Sequence, residues 1–291
     1  MSKERLYLFD TTLRDGAQTT GVDFSIPDKM RIISVLDALG LDYIEAGYPG
    51  FQALLQSSSD SICLVAKSWD YHVRVALGIS NEENLDSIRE SIQAVASSGR
   101  EALLDCEHFF DGYKGNPEYA ISVAQTAFEA GARWVVLCDT NGGTLPEEIE
   151  HIVSKVIDVV PGTHLGIHPH NDTDNAVANA LAAVRAGCRQ IQGALNGLGE
   201  RCGNANLTSI IPTLLLKSEY ANLFETGVSP QKLQRLTHAS RVLDDVLNRA
   251  PNRHAPYVGE SAFATKAGIH ASAILKEPET YEHVRPESVG N

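Results

Sequence analysis

The sequence predicts an α/β protein folded as a TIM (β/α)8 barrel with a short C-terminal linker subdomain, and three observations lead there. Short apolar runs alternate with amphipathic stretches along most of the chain, the pattern of a parallel sheet joined by crossover helices. No glycine-rich dinucleotide or phosphate loop follows the first strand, which argues against a doubly wound sheet. Polar and ionisable residues gather where the strands end. In a parallel barrel those ends share one face, and that face carries the active site.

The composition agrees. The 291 residues are 43% apolar, 21% charged and 7% aromatic, which excludes a disordered, collagenous or coiled-coil chain. A barrel of this kind commonly uses about 250 residues as a single domain. The net charge of −13 offers no basic footprint for nucleic acid. No apolar run approaches the roughly 20 residues of a membrane span, so neither a nucleic-acid nor a membrane partner is expected. The N-terminus leads directly into a strand without a signal-peptide pattern, and five cysteines without CxxC spacing read as reduced thiols; both suggest a cytoplasmic protein.

In order along the chain, RLYLFD (5–10) is the first strand. Ser25, Pro27 and Asp28 open a helix with Met30, Ile33, Leu36 and Leu39 at helical spacing, ending at Gly40. DYIEAG (42–47) and SICLVA (61–66) are strands. Leu85, Ile88, Ile92 and Val95 mark a helix ending at Gly99. ALLDCE (102–107) is a strand, followed by a helix from Pro117 to Gly131. WVVLCD (134–139) precedes a helix capped by Thr144 and Glu147, which stops before Pro161. HLGIH (164–168) precedes a helix that follows Asp172 and ends at Gly187, and CRQIQGAL (188–195) is the last strand.

This census contains seven strands, whereas a closed barrel of this type has eight. The step from Asp42 to Ser61 is 19 residues, too short for a complete βα unit. One βα unit is therefore expected to be missing after Tyr48-Pro49-Gly50. On this reading residues 1–255 form the catalytic barrel and residues 256–291 begin a linker subdomain.

Six segments bring chemistry to the strand ends. Arg14, Asp15 and Gln18 follow the first strand, Glu45 closes the second, and Glu107 closes ALLDCE. Asp139 and Thr140 close WVVLCD. His168 and His170 close HLGIHPH, with Asn171 and Asp172 behind them, and Asn196, Glu200 and Asn204 follow the last strand. His168 and His170, two apart on a strand, project to one side. With Asp15 and Asn204 on neighbouring strand ends they suit a divalent metal: Zn, Mn, Co or Mg. The plainer alternative is two histidines satisfied by strand-end hydrogen bonds. Arg14 beside a ligand would stabilise an oxyanion, or simply pair with Glu45 or Glu107. Thr140 could bind a substrate carboxylate or only terminate a strand. Cys106 and Cys138 read as core, and Cys202 as an inert small residue rather than the alternative of a thiolate ligand.

FDTTLRDGAQ, HPHND and NGLGERCGNAN resemble the acetyl-CoA-dependent condensing enzymes of the DRE-TIM metallolyase superfamily: the 2-isopropylmalate, homocitrate and citramalate synthases. CEHFFDGYKGNPEYA, LCDTNGGTLP and the text from Ser261 to Asn291 are most similar to the citramalate branch. The resemblance implies a divalent metal on Asp15, His168, His170 and Asn204, with Arg14 at the enolate or alkoxide. It implies Glu107 and Thr140 at a 2-oxo acid, with Gln18, Glu45 and Asn171 lining the substrate site. It also implies acetyl-CoA as co-substrate, His270 and Tyr281 as a proton relay delivered across a homodimer, and a C-terminal regulatory domain beyond this chain. A carbon–carbon lyase of the hydroxymethylglutaryl-CoA type and a non-catalytic barrel that binds a small acid are the competing readings.

Overall fold

The computed structural model describes residues 2–47 and 50–291. Nine strands are present among them: β1 Glu4–Arg5, β2 Tyr7–Asp10, β3 Tyr43–Ile44, β4 Ser61–Lys67, β5 Glu101–Glu107, β6 Trp134–Asp139, β7 Leu165–Pro169, β8 Gln190–Gly193 and β9 Phe224–Glu225. The chain divides into two compact units. Unit 1 comprises Met1–Ala46, Ala194–Leu198 and Asn206–Asn291; unit 2 comprises Gly47–Gly193 and Gly199–Ala205. Segment 256–291 is held within unit 1, where the Thr237 hydroxyl donates to the Val289 carbonyl at 2.8 Å and the Thr213 and Tyr257 hydroxyls lie 3.0 Å apart.

Unit 2 contains five parallel strands in the order β8-β7-β6-β5-β4. Every residue of β6, β7 and β8 is buried; β6 accordingly reads as a near-continuous apolar run, whereas β8 carries two buried glutamines, Gln190 and Gln192. The registers Ser61↔Glu101 to Lys67↔Glu107 and Cys138↔His168 bring the functional strand ends level with one another. β4 is last in the order and is only patchily buried. In unit 1, β2 pairs with β3 and β1 with β9, both parallel.

The helices follow their local signals closely. Ser25 and Asp28 form the expected reciprocal cap of helix Ile26–Leu39, and Gly40 ends it in the left-handed region at φ 85°. The buried face of that helix is Ile32, Leu36 and Leu39, while Met30 faces outward. Ser80 and Glu83 cap helix Asn81–Ser97 in the same way. Two differences stand out. A helix at Phe109–Gly115 precedes the expected one at Pro117–Glu129, and its Gly112 lies where a Cβ would meet the Ser68 carbonyl oxygen at 2.4 Å. Helix Pro146–Val156 is capped at Leu145, whose N–H donates to Glu148, not at Thr144. The Thr144 hydroxyl instead donates to the buried Asp139 carboxylate at 2.8 Å, because that carboxylate has the stronger claim on a donor.

Between β3 and β4 stands a six-residue helix, Phe51–Gln56. Tyr48 and Pro49, on which the expected break abuts, lie outside the described residues.

Candidate active site

Unit 1 presents a dense group of charges at the end of β2. Asp15 is buried, and Arg14 spans two carboxylates: Nη1 lies 3.1 Å from Asp15 and Nε donates to Glu45 at 2.8 Å. The Thr11 hydroxyl donates to the same Glu45 oxygen at 2.8 Å. The guanidinium orientation is thus set by two anions and cannot drift as a lone surface arginine would. Gln18 is exposed at the end of the turn Gly16–Gln18, whose Gly16 is buried. Beneath them, Asp10 accepts from the Thr12 N–H at 2.9 Å and the Thr12 hydroxyl at 2.8 Å, and that hydroxyl in turn accepts from Leu195 N at 2.8 Å. Complete burial pushes the Asp10 carboxyl up to about 7, against the opposing pull of the Thr12 hydrogen bonds.

Unit 2 gathers the strand ends of β5 to β8. His168 and His170 are both buried, with ring centroids 5.2 Å apart. His170 forms an antiparallel bridge with Asn204, and Ala205 N donates to the Pro169 carbonyl at 3.0 Å, so loop 199–205 runs directly along the end of β7. A Cβ on Gly199 would stand 2.3 Å from Asn204 Nδ2; only glycine lets Asn204 lie there. Arg201 anchors the loop by donating twice to the Asp172 carboxylate, at 2.8 Å each, and to Thr140 O at 2.7 Å. That pairing holds the Asp172 carboxyl below the usual carboxylate range.

Thr140 Oγ1 accepts from the His108 N–H at 2.8 Å and keeps its own O–H to donate. The Glu107 carboxylate is ion-paired with Lys67. Asn171 is occupied locally: Oδ1 accepts from Ala176 N at 3.1 Å, opening helix Ala176–Ala186, and Nδ2 donates to Asp174 at 3.3 Å. His72, Glu107 and His108 form a second group with metal-ligand spacing. Lys67 already supplies a cation to its carboxylate, and His108 Nδ1 is directed to Asp111 at 3.2 Å, so this group reads as a finished polar cluster.

His270 lies on the exposed short helix Gly268–Ile274 of unit 1, and its ring stacks on Tyr281 with centroids 4.2 Å apart. Cys106 and Cys138 are buried as expected, and Cys202 is exposed. Burial first, and then the neighbouring Asp105, raise the Cys106 thiol far above its ordinary range.

Sequence reasoning missed Asp105 and Gln192. Both are buried, and a continuous chain joins them to His168: Gln192 Nε2 donates to Asp105 Oδ1 at 2.9 Å, and Gln192 Oε1 lies 2.7 Å from His168 Nδ1. The signal was present as Asp105 inside the run ALLDC, at the two-residue spacing that puts it on the same side as Glu107, and as the alternation of Gln190 and Gln192 around Ile191.

The chain matches the HMGL-like family over residues 5–68 and 50–242. It belongs to that family. Residues 257–291 match the homocitrate synthase post-HMGL domain-like family. It is 45% identical to the (R)-citramalate synthase of Aquifex aeolicus over 329 aligned positions, covering 99% of this chain and 61% of that protein. It is 33% identical to a probable 2-isopropylmalate synthase of Methanopyrus kandleri, covering 99% of this chain and 62% of that one. The chain thus spans about three fifths of the length of these curated relatives. Among solved structures, the hydroxymethylglutaryl-CoA lyase of Bacillus subtilis superposes with a TM-score of 0.74 at 20% identity, covering 86% of this chain and 97% of that one. This likeness, with the family match, establishes the TIM-barrel fold class. No helix among the described residues is long and apolar enough to cross a membrane.

Proposed function

We propose that the protein condenses acetyl-CoA with a 2-oxo acid in a divalent-metal-dependent Claisen-type reaction, and that the acceptor is pyruvate, giving citramalate. The observation that carries this reading is the graded identity: 40–45% to five (R)-citramalate synthases, against 31–33% to three 2-isopropylmalate synthases.

Asp15, His168, His170 and Asn204 would hold the cation, a donor set of two imidazole nitrogens and two side-chain oxygens that fits Zn, Mn, Co or Mg. Two observations support the fit: the His168–His170 ring separation of 5.2 Å and the hydrogen bond that occupies His168 Nδ1, leaving Nε2 for coordination. When bound, the cation supplies polarisation of the keto group. Arg14, braced by Asp15 and Glu45, is oriented to meet the negative charge that develops on oxygen. The Thr140 hydroxyl can donate to the 2-oxo acid's carboxylate, with Glu107 beside it and Gln18, Glu45 and Asn171 as further lining. His270, stacked on Tyr281 in this chain, would be delivered with it across a homodimer contact and would take the proton released by the acetyl-CoA methyl group. Water then cleaves the thioester, releasing CoA and the hydroxy diacid.

We also propose that one βα unit present in the relatives is absent here. Aligning 329 positions over 99% of 291 residues leaves about 41 positions (329 − 288) without a counterpart in this chain. The family match is broken into stretches that overlap at 50–68. A groove of about 440 Å³ runs beside β4, lined by Phe51, Leu54, Val65 and Leu77 among others.

The deciding experiment measures free CoA released from acetyl-CoA with pyruvate, 2-oxoisovalerate and 2-oxoglutarate supplied separately. Fastest release with pyruvate is expected. Faster turnover with 2-oxoisovalerate would transfer the protein to the 2-isopropylmalate class. Acetyl-CoA-independent cleavage of hydroxymethylglutaryl-CoA would make it a lyase.

A further inference from the structure

We infer that Asp105 and Gln192 are positioning residues that set the tautomer of His168 and aim its Nε2 at the cation. This rests on the reading of His168 as a metal ligand.

The three side chains come from three strands of unit 2, β5, β7 and β8, and all are at most 4% exposed. The register Gly166↔Gln190 and Ile167↔Ile191, carried one step further, sets Gln192 beside His168. The amide's polarity is then fixed by elimination. A carboxylate only accepts, so the Gln192 atom facing Asp105 at 2.9 Å is the donor Nε2. The amide oxygen must therefore face His168, and an oxygen acceptor 2.7 Å from Nδ1 requires that Nδ1 carry the proton. The neutral imidazole is left with its lone pair on Nε2.

An imidazole in water exchanges freely between tautomers and rotamers. Here the proton, the ring plane and the coordinating lone pair are all decided before any cation arrives. Burial makes the restraint strong, since reversing the amide would bring two acceptors together at Asp105 without water to relieve them. Metal-ligating histidines commonly direct their second nitrogen to a carboxylate or carbonyl. In this protein the carboxylate acts one residue removed, through an amide that transmits orientation without placing a second negative charge against the ring.

The test uses substitutions that preserve shape. Gln192→Leu removes the acceptor, and Asp105→Asn lets the amide turn over. The double variant Asp105→Asn/Gln192→Glu restores the pattern, with a donor at position 105 and an acceptor facing His168. The first readout is ¹⁵N NMR of the histidine rings in cation-free protein at pH 8, with His168→Ala to assign the signal. The wild type is expected to show His168 protonated at Nδ1, and a wild-type signal from the Nε2–H tautomer overturns the inference. The second readout is Mn²⁺ affinity by calorimetry, expected to weaken about 10–100-fold in Gln192→Leu and in Asp105→Asn. Recovery to within a few-fold is expected in the double variant, an outcome that simple loss of packing would not produce. Wild-type Mn²⁺ affinity in Gln192→Leu, with His168→Ala impaired, overturns the positioning role alone. Unchanged Mn²⁺ binding by His168→Ala overturns the metal-ligand reading itself, and the NMR result still decides the tautomer.

Discussion

Asp10 and Asp15 at the end of β2 in unit 1, and Asp105, His168 and Gln192 in unit 2, are all buried, yet the two groups are organised on opposite principles. In unit 1 full charges face full charges: Arg14 lies between Asp15 and Glu45. Where no arginine reaches, at Asp10, burial drives the carboxyl up to about 7. In unit 2, His168 is held by an amide dipole, and the charge of Asp105 is kept one side chain away. The difference teaches that a buried carboxylate can be accommodated either by a countercharge or by distance from what it orients. The first arrangement suits groups that meet developing charge, and the second suits groups that must stay neutral to coordinate.

The largest expected effect separates these tasks. His168→Ala and His170→Ala should lose bound Mn²⁺ together with turnover. Arg14→Ala should lower turnover about 10²–10³-fold, the usual share of one oxyanion donor, with Mn²⁺ retained. Metal content measured on each purified variant checks this, and retention of Mn²⁺ by both histidine variants would break the comparison. His270→Ala should lower kcat by about 10²–10⁴-fold, again with metal retained.

The contrast extends to packing within unit 2. Ile167 in β7 is fully buried, whereas Val65 in β4 is 37% exposed beside the groove. Ile167→Ala should cost about 2–5 kcal/mol of unfolding free energy in denaturant titrations, and Val65→Ala under about 1 kcal/mol. Equal costs would mean that β4 is packed as tightly as β7.

Much of this was legible beforehand, and the reasons are local. Seven strands and the Ser25 cap were readable because apolar runs and caps act over a few residues. The polar strand ends were readable because a parallel barrel exposes them together. Asp105 and Gln192 were not, because their meaning depends on three strands meeting: a lone aspartate in ALLDCE says nothing of the glutamine 87 residues on. The cap at Leu145 was missed for a related reason, since Thr144 was drawn away by Asp139. β9, two residues long, carries no pattern of its own.

A subtler test concerns pH. The Asp10 carboxyl is raised to about 7 from 3.8, so the folded state keeps a proton that the unfolded state releases. Its contribution is therefore fully present below pH 3.8 and is lost as pH rises to about 7. The stability of the wild type relative to Asp10→Asn should fall by on the order of 4 kcal/mol across that window in paired thermal melts. A flat difference would mean that Thr12 fully compensates the buried charge. The smallest effect is expected at Arg201, whose side chain is 39% exposed: Arg201→Ala should change global stability by under about 1 kcal/mol. It should still speed amide exchange in loop 199–205.

The position of β4 at the end of its strand order bears on how the protein behaves in the tube. SICLVAK has no proline and a single charge, at its last residue, and its outer edge has no strand neighbour among the described residues. Such an edge is a template on which another chain can add a strand. Storage at high concentration should therefore produce slow, concentration-dependent turbidity. Val65→Lys, which puts a charge mid-strand where the side chain is already part exposed, should suppress that turbidity more than it lowers the melting temperature.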